Sequence, residues 1–570
     1  MNVLPAGHGG KIVNLMVEDD RAVELKRLSR DFESITLTAA AVYDLELLMN
    51  GAFSPLTGFM GQDDYESVLS RMHLQNGWLW PLPVCLPVGA DRVQSLSPGQ
   101  TVALRDPEGF MLAVLHIQDI WPGDREREVQ MVFGTGDIRH PGVRRLMASG
   151  AGFYVGGKVE GIQVPVHAAF KSLRHTPLEM RQRFKKLGWR RIVGYQPQSL
   201  LHRAEFEMTL RVMAHAKACL LLQPAVTTIA RGSVDNHTRI HCYIAAGKNY
   251  PANMMQMNLL PFAMRMAGPR EALLQAIIQK NYGCTHMIVA PGHASPKPDD
   301  DEGLFYEEAA AAEMAISFCQ ELGIEIVACE PMQYVVEDDV YLPVSEVPAG
   351  VQTRQVDNDA FHDKFRNGRK IPEWVTFPEV VDIIHQAYPP RHQQGFTLFF
   401  TGLSGAGKST IARILYARLL EMRSRPVTLL DGDIVRRNLS SELGFSKEHR
   451  DLNVKRIGFV ASEITKNRGI AICAPIAPYG VTRKYVRRLI EQYGGFIEIY
   501  VGTPLDICES RDRKGLYAKA RAGLIREFTG ISDPYEAPES PEVYIDTTDM
   551  TPDEAVQEVL LYLERSGYMR

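Results

Sequence analysis

Cysteine is sparse and scattered: eight occur in 570 residues, with no C-x-x-C pair. That spacing excludes a zinc ribbon and a disulfide framework, and it suits a reducing compartment. No apolar run approaches the roughly 20 residues that cross a bilayer. Residues 1–15 lack the basic stretch and apolar core of a secretory signal, so a cytoplasmic protein without a membrane partner is expected. Excess positive charge is missing too; the net charge of -5 gives no general attraction for nucleic acid. No internal repeat or low-complexity tract stands out. What remains, at 45% hydrophobic and 23% charged residues, is a globular chain. Its length exceeds one ordinary core and predicts roughly three or four domains.

The most informative stretch is Gly402-Leu403-Ser404-Gly405-Ala406-Gly407-Lys408-Ser409-Thr410, which fits the phosphate-loop pattern G-x-x-x-x-G-K-[ST]. Residues 396–400 before it form a short strand-like run, and Ile411, Ile414, Leu415 and Leu419 after it recur at helical spacing. Glycines let backbone N–H groups curl around phosphate oxygens while the helix points its positive end at them. Gly402, Ser404, Gly405, Ala406, Gly407, Lys408, Ser409 and Thr410 are therefore the expected contacts to ATP. Lys408 supplies a mobile charge there, and Ser409 a hydroxyl for Mg2+. A second strand-like run, 427–430, ends in Asp431-Gly432-Asp433, where carboxylates suit magnesium positioning or hydroxyl activation.

Along the chain, residues 1–170 read as β-rich, with apolar runs at 78–84 and 101–104 between Pro/Gly turns. Residues 51–60 read as a loop-like aromatic stretch, a packed surface loop. From 171 to 340, helical patterns such as 205–222 alternate with strand-like runs at 191–195, 286–290 and 324–328, predicting a parallel sheet covered by helices. Ligands in such sheets sit beyond the carboxyl ends of strands, so the segments after Tyr195 and Ala290 are site candidates. A smaller segment, 341–388, precedes a proline-rich polar linker at 389–395 and a last domain at 396–570. Thr551-Pro552-Asp553-Glu554 announces the terminal helix with a capping box.

Residues 396–570 resemble an adenylylsulfate (APS) kinase, a P-loop kinase with a parallel sheet that phosphorylates the 3′-hydroxyl of APS with MgATP. The resemblance rests on the phosphate loop, Asp431-Gly432-Asp433, Gly444-Phe445-Ser446, Pro478-Tyr479, Arg513-Lys514-Gly515-Leu516-Tyr517 and Phe528-Thr529-Gly530. It implies that Arg436, Phe445, Arg450 and Asn453, with Pro478, hold the APS nucleotide and its sulfate. Lys514, Leu516 and Phe528 would belong to a lid and adenine-stacking surfaces, and Asp433 would orient or deprotonate the attacking hydroxyl and help hold the metal. Ala477 stands where many relatives carry serine, which excludes a phosphoenzyme there but not direct transfer. A regulatory nucleotide switch is disfavoured by the lack of an N-K-x-D motif.

Residues 1–388 resemble ATP sulfurylase, with a β-rich PUA-like domain and a Rossmann-like α/β domain. Gly51 to Met60, Leu79-Trp80-Pro81, Met264-Arg265-Met266-Ala267-Gly268-Pro269-Arg270-Glu271-Ala272, Lys280-Asn281-Tyr282-Gly283-Cys284-Thr285-His286 and Phe377-Pro378-Glu379-Val380-Val381 carry it. Of the family's Q-x-R-N-P-x-H-R-A-H, this chain keeps Gln196, His202 and Arg203 but has Gln198, Ser199 and Glu205 at the other polar positions. Of G-R-D-H-A-G-P it keeps His293 and has Pro291 for the arginine. By the resemblance, His202 and Arg203 are catalytic and Gln196 and His293 bind ATP. Joining two anions at the α-phosphorus needs positive charge. Losing two or three charge-assisted contacts slows such a step by roughly 10³-fold or more. Two readings stay open: both activities, or a kinase carried on a weakly active nucleotide-binding scaffold. The resemblance also implies a homo-oligomer built on dimers, up to a hexamer.

Overall fold

The chain divides into two bodies, Met1–Asp357 with Pro372–Ile383, and Asn358–Ile371 with Ile384–Arg570. The computed structural model describes residues 4–150, 152–197, 199–226, 234–296, 305–356, 361, 369–444, 446–512, 515–525 and 527–569, without the side chain of Asp433. Among the described residues, no helix is long and apolar enough to cross a membrane.

The first body opens with a six-stranded sheet of Ser34–Thr36, Gly58–Phe59, Leu86–Val88, Thr101–Arg105, Met111–Pro122 and Phe153–Gly161. The run at 78–84 is not one of its strands. Pro81 and Pro83 remove ladder donors, and Leu79, Trp80, Leu82 and Val84 instead fill the core as irregular chain. Nor is 51–60 a surface loop, because Ala52, Phe53, Leu56, Phe59 and Met60 are buried.

The α/β part of this body contains β1 (Ile192–Tyr195), α1 (Arg203–Ala216), β2 (Cys219–Leu222), β3 (Met255–Met257), α2 (Gly268–Tyr282), β4 (His286–Val289) and β5 (Glu325–Ala328). The helical pattern expected over 205–222 thus ends early. Lys217 turns left-handed at φ 48°, and the apolar run behind it pairs as β2. A buried strand and a buried helix segment share such a pattern, and only tertiary pairing separates them. The strands lie parallel in the order β5-β4-β1-β2-β3. Chain order reverses between β1 and β4, so the loops after Tyr195 and Val289 flank the crevice where such sheets bind ligands.

Helix α2 is buried over nearly its whole circumference, and its ends are pinned by polar bonds. Arg270 donates to the carbonyls of Val68, Leu69 and Pro81, and Asn281 Nδ2 donates to those of Ala52 (2.9 Å) and Ser54 (3.1 Å). Glu271 accepts from the backbone N–H groups of Arg265 and Ala267, and Arg265 pairs with Asp44 at 2.8 Å. These residues of the two family-like stretches therefore hold the β-rich and α/β parts together around one core. Each fully buried Leu or Ile contributes about 1.5–3 kcal/mol to that core.

In the second body, β6 (Phe396–Thr401), β7 (Val427–Asp431), β8 (Ile470–Ala474), β9 (Gly495–Val501) and β10 (Val543–Ile545) form a parallel sheet ordered β7-β8-β6-β9-β10. Its helices include α3 (Lys408–Glu421), α4 (Gly432–Leu439), α5 (Lys447–Lys466), α6 (Gly480–Ile490) and α7 (Pro552–Arg565). Phe396, Leu398 and Phe400 of β6 join one core cluster with α3 and α7, while Phe399 joins another with α5 and α6. A central strand covered on both faces explains the unbroken apolar run. Thr551 and Glu554 form the expected capping box: each side chain accepts from the other's backbone N–H, at 3.3 and 2.7 Å. Arg391, within the stretch read as a linker, donates to the Ser566 carbonyl and covers the Tyr568 ring.

Candidate functional site

The phosphate loop follows β6 at the centre of its sheet. Gly402 has φ 146°, and a Cβ there would stand 2.3 Å from the Val501 carbonyl oxygen; at Gly405, φ 80°, it would meet the Cys508 carbonyl at 2.7 Å. Side chains are excluded at both positions, so the backbone can curl as the pattern requires. Lys408 is buried, with Nζ donating to the carbonyls of Gly402 (2.8 Å) and Leu403 (2.7 Å). Burial pushes its pKa down to about 8. Ser409 and Thr410 are exposed on the first turn of α3, Ala406 is buried, and Ser404 accepts from the Tyr517 hydroxyl at 2.8 Å.

Also at the carboxyl ends of the strands, Asp431 ends β7 and Asp433 is the second residue of α4. The side chain of Asp433, and all of Phe445 and Lys514, lie outside the described residues. Arg436 on α4 donates to the carbonyls of Leu443 (3.2 Å) and Gly444 (2.8 Å), bracing the loop before α5. Arg450 and Asn453 are both buried on α5; Asn453 Oδ1 and Arg450 Nε are enclosed without a hydrogen-bond partner among the described residues. Buried polar atoms of that kind await a ligand or water. Pro478 is buried next to Tyr479, and Leu516 and Phe528 are partly buried, Phe528 standing edge-on to Tyr517 with centroids 5.0 Å apart. A cavity of about 540 Å³ runs between Leu403, Tyr500, Thr503 and the segment 530–535.

Sequence reasoning missed what holds Arg450. Its Nη1 donates to Thr529 Oγ1 at 2.6 Å, and its Nη2 pairs with Asp533 Oδ2 at 3.0 Å. An isolated acid in a loop carries no signal that it will meet an arginine 83 residues earlier; only the fold does that.

In the first body, Gln196 follows β1 and is buried with both amide atoms unpartnered among the described residues, as is Gln223 just past β2. His202 precedes α1, and its backbone N–H donates to Glu205 at 3.1 Å. The Arg203 guanidinium lies 5.2 Å from the Phe377 ring centroid and its backbone N–H donates to the Val375 carbonyl. His293 is buried and donates from Nε2 to Gln275 on α2 at 2.5 Å. Burial pushes its pKa down to about 4, so it is neutral at physiological pH. Ser199 Oγ donates to the neighbouring Leu200 carbonyl at 3.3 Å. Gln198 lies outside the described residues. Among the described residues, no three His, Cys, Asp or Glu side chains gather as a metal site.

Burial pushes the Glu205 carboxyl up to about 7, against the hydrogen bonds from its own and His202's backbone N–H. A proton held more tightly when folded stabilises the chain fully at low pH; that stability is lost as pH rises through about 7. Glu205→Gln is therefore expected to raise the thermal midpoint at pH 8, equivalent to at most about 3 kcal/mol, with a gain under about a third as large at pH 5. Scanning calorimetry at the two pH values checks this. Equal gains at both would remove the buried-acid reading.

Three family models match the chain. The family model for PUA-like domains matches residues 5–164, that for ATP-sulfurylase residues 171–387, and that for adenylylsulphate kinase residues 394–546. A sulfate adenylyltransferase of Aspergillus oryzae is 43% identical over 565 residues, 98% of each chain. One from Neurospora crassa is 41% identical over 566 residues, 99% of each. The solved structure of a hexameric APS kinase from Thiobacillus denitrificans superposes over 100% of both chains with a TM-score of 0.81 and 41% identity. Two transferase domains that use ATP and small-molecule substrates are thus joined in one polypeptide. This chain belongs to the sulfate adenylyltransferase family, in the form that couples an ATP-sulfurylase domain to an adenylylsulfate kinase domain.

Proposed function

We propose that the kinase domain transfers the ATP γ-phosphoryl group to the 3′-hydroxyl of APS, giving PAPS, and that the sulfurylase domain runs its own reaction far more slowly than the family's intact motifs would allow. The observation that supports the kinase reading is the pairing of a buried Lys408 on the phosphate loop with a second group of buried cationic and amide side chains, Arg450 and Asn453, beyond the same sheet edge. Phosphoryl transfer needs that layout: cations for the donor and an oriented hydroxyl acceptor, with no covalent nucleophile. Arg436, Arg450 and Asn453 hold APS, Leu516 and Phe528 flank the bases with Phe445 and Lys514, and Asp433 orients the hydroxyl. In the other half, His202 and Arg203 face the reacting groups while Gln196 and His293 bind the nucleotide.

The exposed Ser409 hydroxyl on the phosphate loop and the Asp431 carboxylate ending β7 are hard oxygen donors, the kind that Mg2+ prefers together with waters and phosphates over an all-protein cage. Held there, the ion would supply positive charge that offsets the charge on the phosphate groups. Ser409 and Asp433 are the proposed ligands. The domain bounds 1–170, 171–340, 341–388 and 396–570, a cytoplasmic location, and a homo-oligomer built on dimers complete the reading. The Thiobacillus relative, described as hexameric, supports a hexamer as the full assembly.

Kinetics with three acceptors test the kinase reading. APS is expected to exceed adenosine by about 100-fold or more in kcat/KM, with AMP between them, because two charge-assisted contacts to its anionic end are each worth about 1.5–3 kcal/mol. Equal efficiency for all three would mean a different nucleotide kinase.

A further inference from the structure

A site built for an anionic acceptor holds a carboxylate directly on its arginine. Asp533 Oδ2 forms an ion pair with Arg450 Nη2 at 3.0 Å and accepts from the Tyr479 hydroxyl at 2.7 Å. The Arg450 guanidinium also lies over the Tyr479 ring, 5.6 Å from its centroid. The side chains of Arg450 and Asp533 are 10% and 15% exposed, enclosed enough that salt and water screen the pair weakly. Two further charges border it: Lys447 Nζ stands 4.8 Å from the Tyr479 centroid, and Asp451 accepts from the Thr482 hydroxyl at 2.7 Å. Two cations therefore face two carboxylates, and this corner is close to neutral.

Near-neutrality matters because the acceptor has a close mimic. APS ends in a sulfate with one negative charge. ADP, the kinase's other product, has the same nucleoside and α-phosphate but ends in a phosphate with a second pKa near 6, so it carries almost two charges there at pH 8. The two end groups are both tetrahedral and nearly equal in size; charge is what distinguishes them. A fully cationic pocket favours the dianion, whereas a pocket with a fixed carboxylate opposes the extra charge. We propose that Asp533 is a specificity-determining residue, which tunes the Arg450 subsite to accept a singly charged sulfate terminus and to reject ADP. The inference rests on the reading that Arg450 faces the sulfate of APS.

Calorimetric titration of the full-length protein, with its donor site saturated by a non-hydrolysable ATP analogue and Mg2+, measures Kd for APS and for ADP at pH 8. Asp533→Asn, nearly the same shape without the charge, is expected to lower the preference for APS over ADP by about tenfold, mainly by tightening ADP. Asp533→Glu retains the charge and is expected to keep the preference within about threefold. An unchanged preference in Asp533→Asn overturns the proposal, even if both ligands weaken together, because that is what a purely structural role would produce. An equal fall in both variants overturns it too. If the unmodified protein fails to bind APS at all, the kinase reading fails instead, so the two failures are distinguishable.

Discussion

Lys408→Ala is expected to lower APS-dependent ADP formation by about 10³-fold, the largest effect of any single substitution in the kinase domain. The ammonium group is buried and held by two carbonyls of its own loop, with burial lowering its pKa to about 8. The desolvation of a lysine in that state is only partly offset: the loop carbonyls accept its hydrogen bonds but carry no full charge. Phosphate oxygens do carry full charge, so arrival of ATP raises the proton affinity of Nζ and fixes the cation on the transferring group. Alanine removes that stabilisation where charge builds up and leaves the two carbonyls facing the phosphates. ADP release coupled to a dehydrogenase assay reads the rate, and equilibrium binding of ATP reads the ground state. Activity within a few-fold of the unmodified protein would overturn the assignment of this loop as the donor site.

The second large effect is one the unmodified chain already shows if the sulfurylase reading holds. Given APS and pyrophosphate, it is expected to make ATP about 10³-fold more slowly than a typical enzyme turnover of about 10 s⁻¹. Two features of the tertiary structure refine the reason. His293 is neutral and committed to Gln275, so it adds no positive charge for the departing pyrophosphate. Glu205, with its pKa near 7, is roughly half protonated at neutral pH and occupied by the N-terminal backbone of α1. The deficit therefore lies more in missing cations, at Gln198 and Pro291, than in a newly arrived negative charge. Gln198→Arg with Glu205→His is expected to recover part of the rate. The luciferase-coupled assay should use a chain carrying Lys408→Ala, so that the kinase cannot consume APS. A turnover near 10 s⁻¹ before any restoration would mean that other side chains supply the charge.

Much of the kinase domain was legible in the order of its residues. The phosphate loop, its strand and its helix are local: a glycine pattern, a doubly covered strand and a 3.6-residue stripe are written within about 25 consecutive positions. The parallel sheet of the first body, and the candidate loops after Tyr195 and Ala290, followed from alternation of elements for the same reason. Local pattern failed where burial, rather than periodicity, set the outcome. The 51–60 stretch looked like surface and is core, the 78–84 run looked like a strand and is irregular, and the end of the 205–222 pattern belongs to β2.

Sequence alone determined the chemistry on offer: which side chains stand in the donor, acceptor and sulfurylase motifs, and which family cations are missing. The tertiary structure decided the state of those groups. Nothing near His293 in the chain points to Gln275, nothing near Arg450 points to Asp533, and Glu205 next to His202 gives no hint of a pKa near 7. Charge depends on desolvation and on partners brought from distant positions, and both are properties of the packed fold, not of neighbours along the chain.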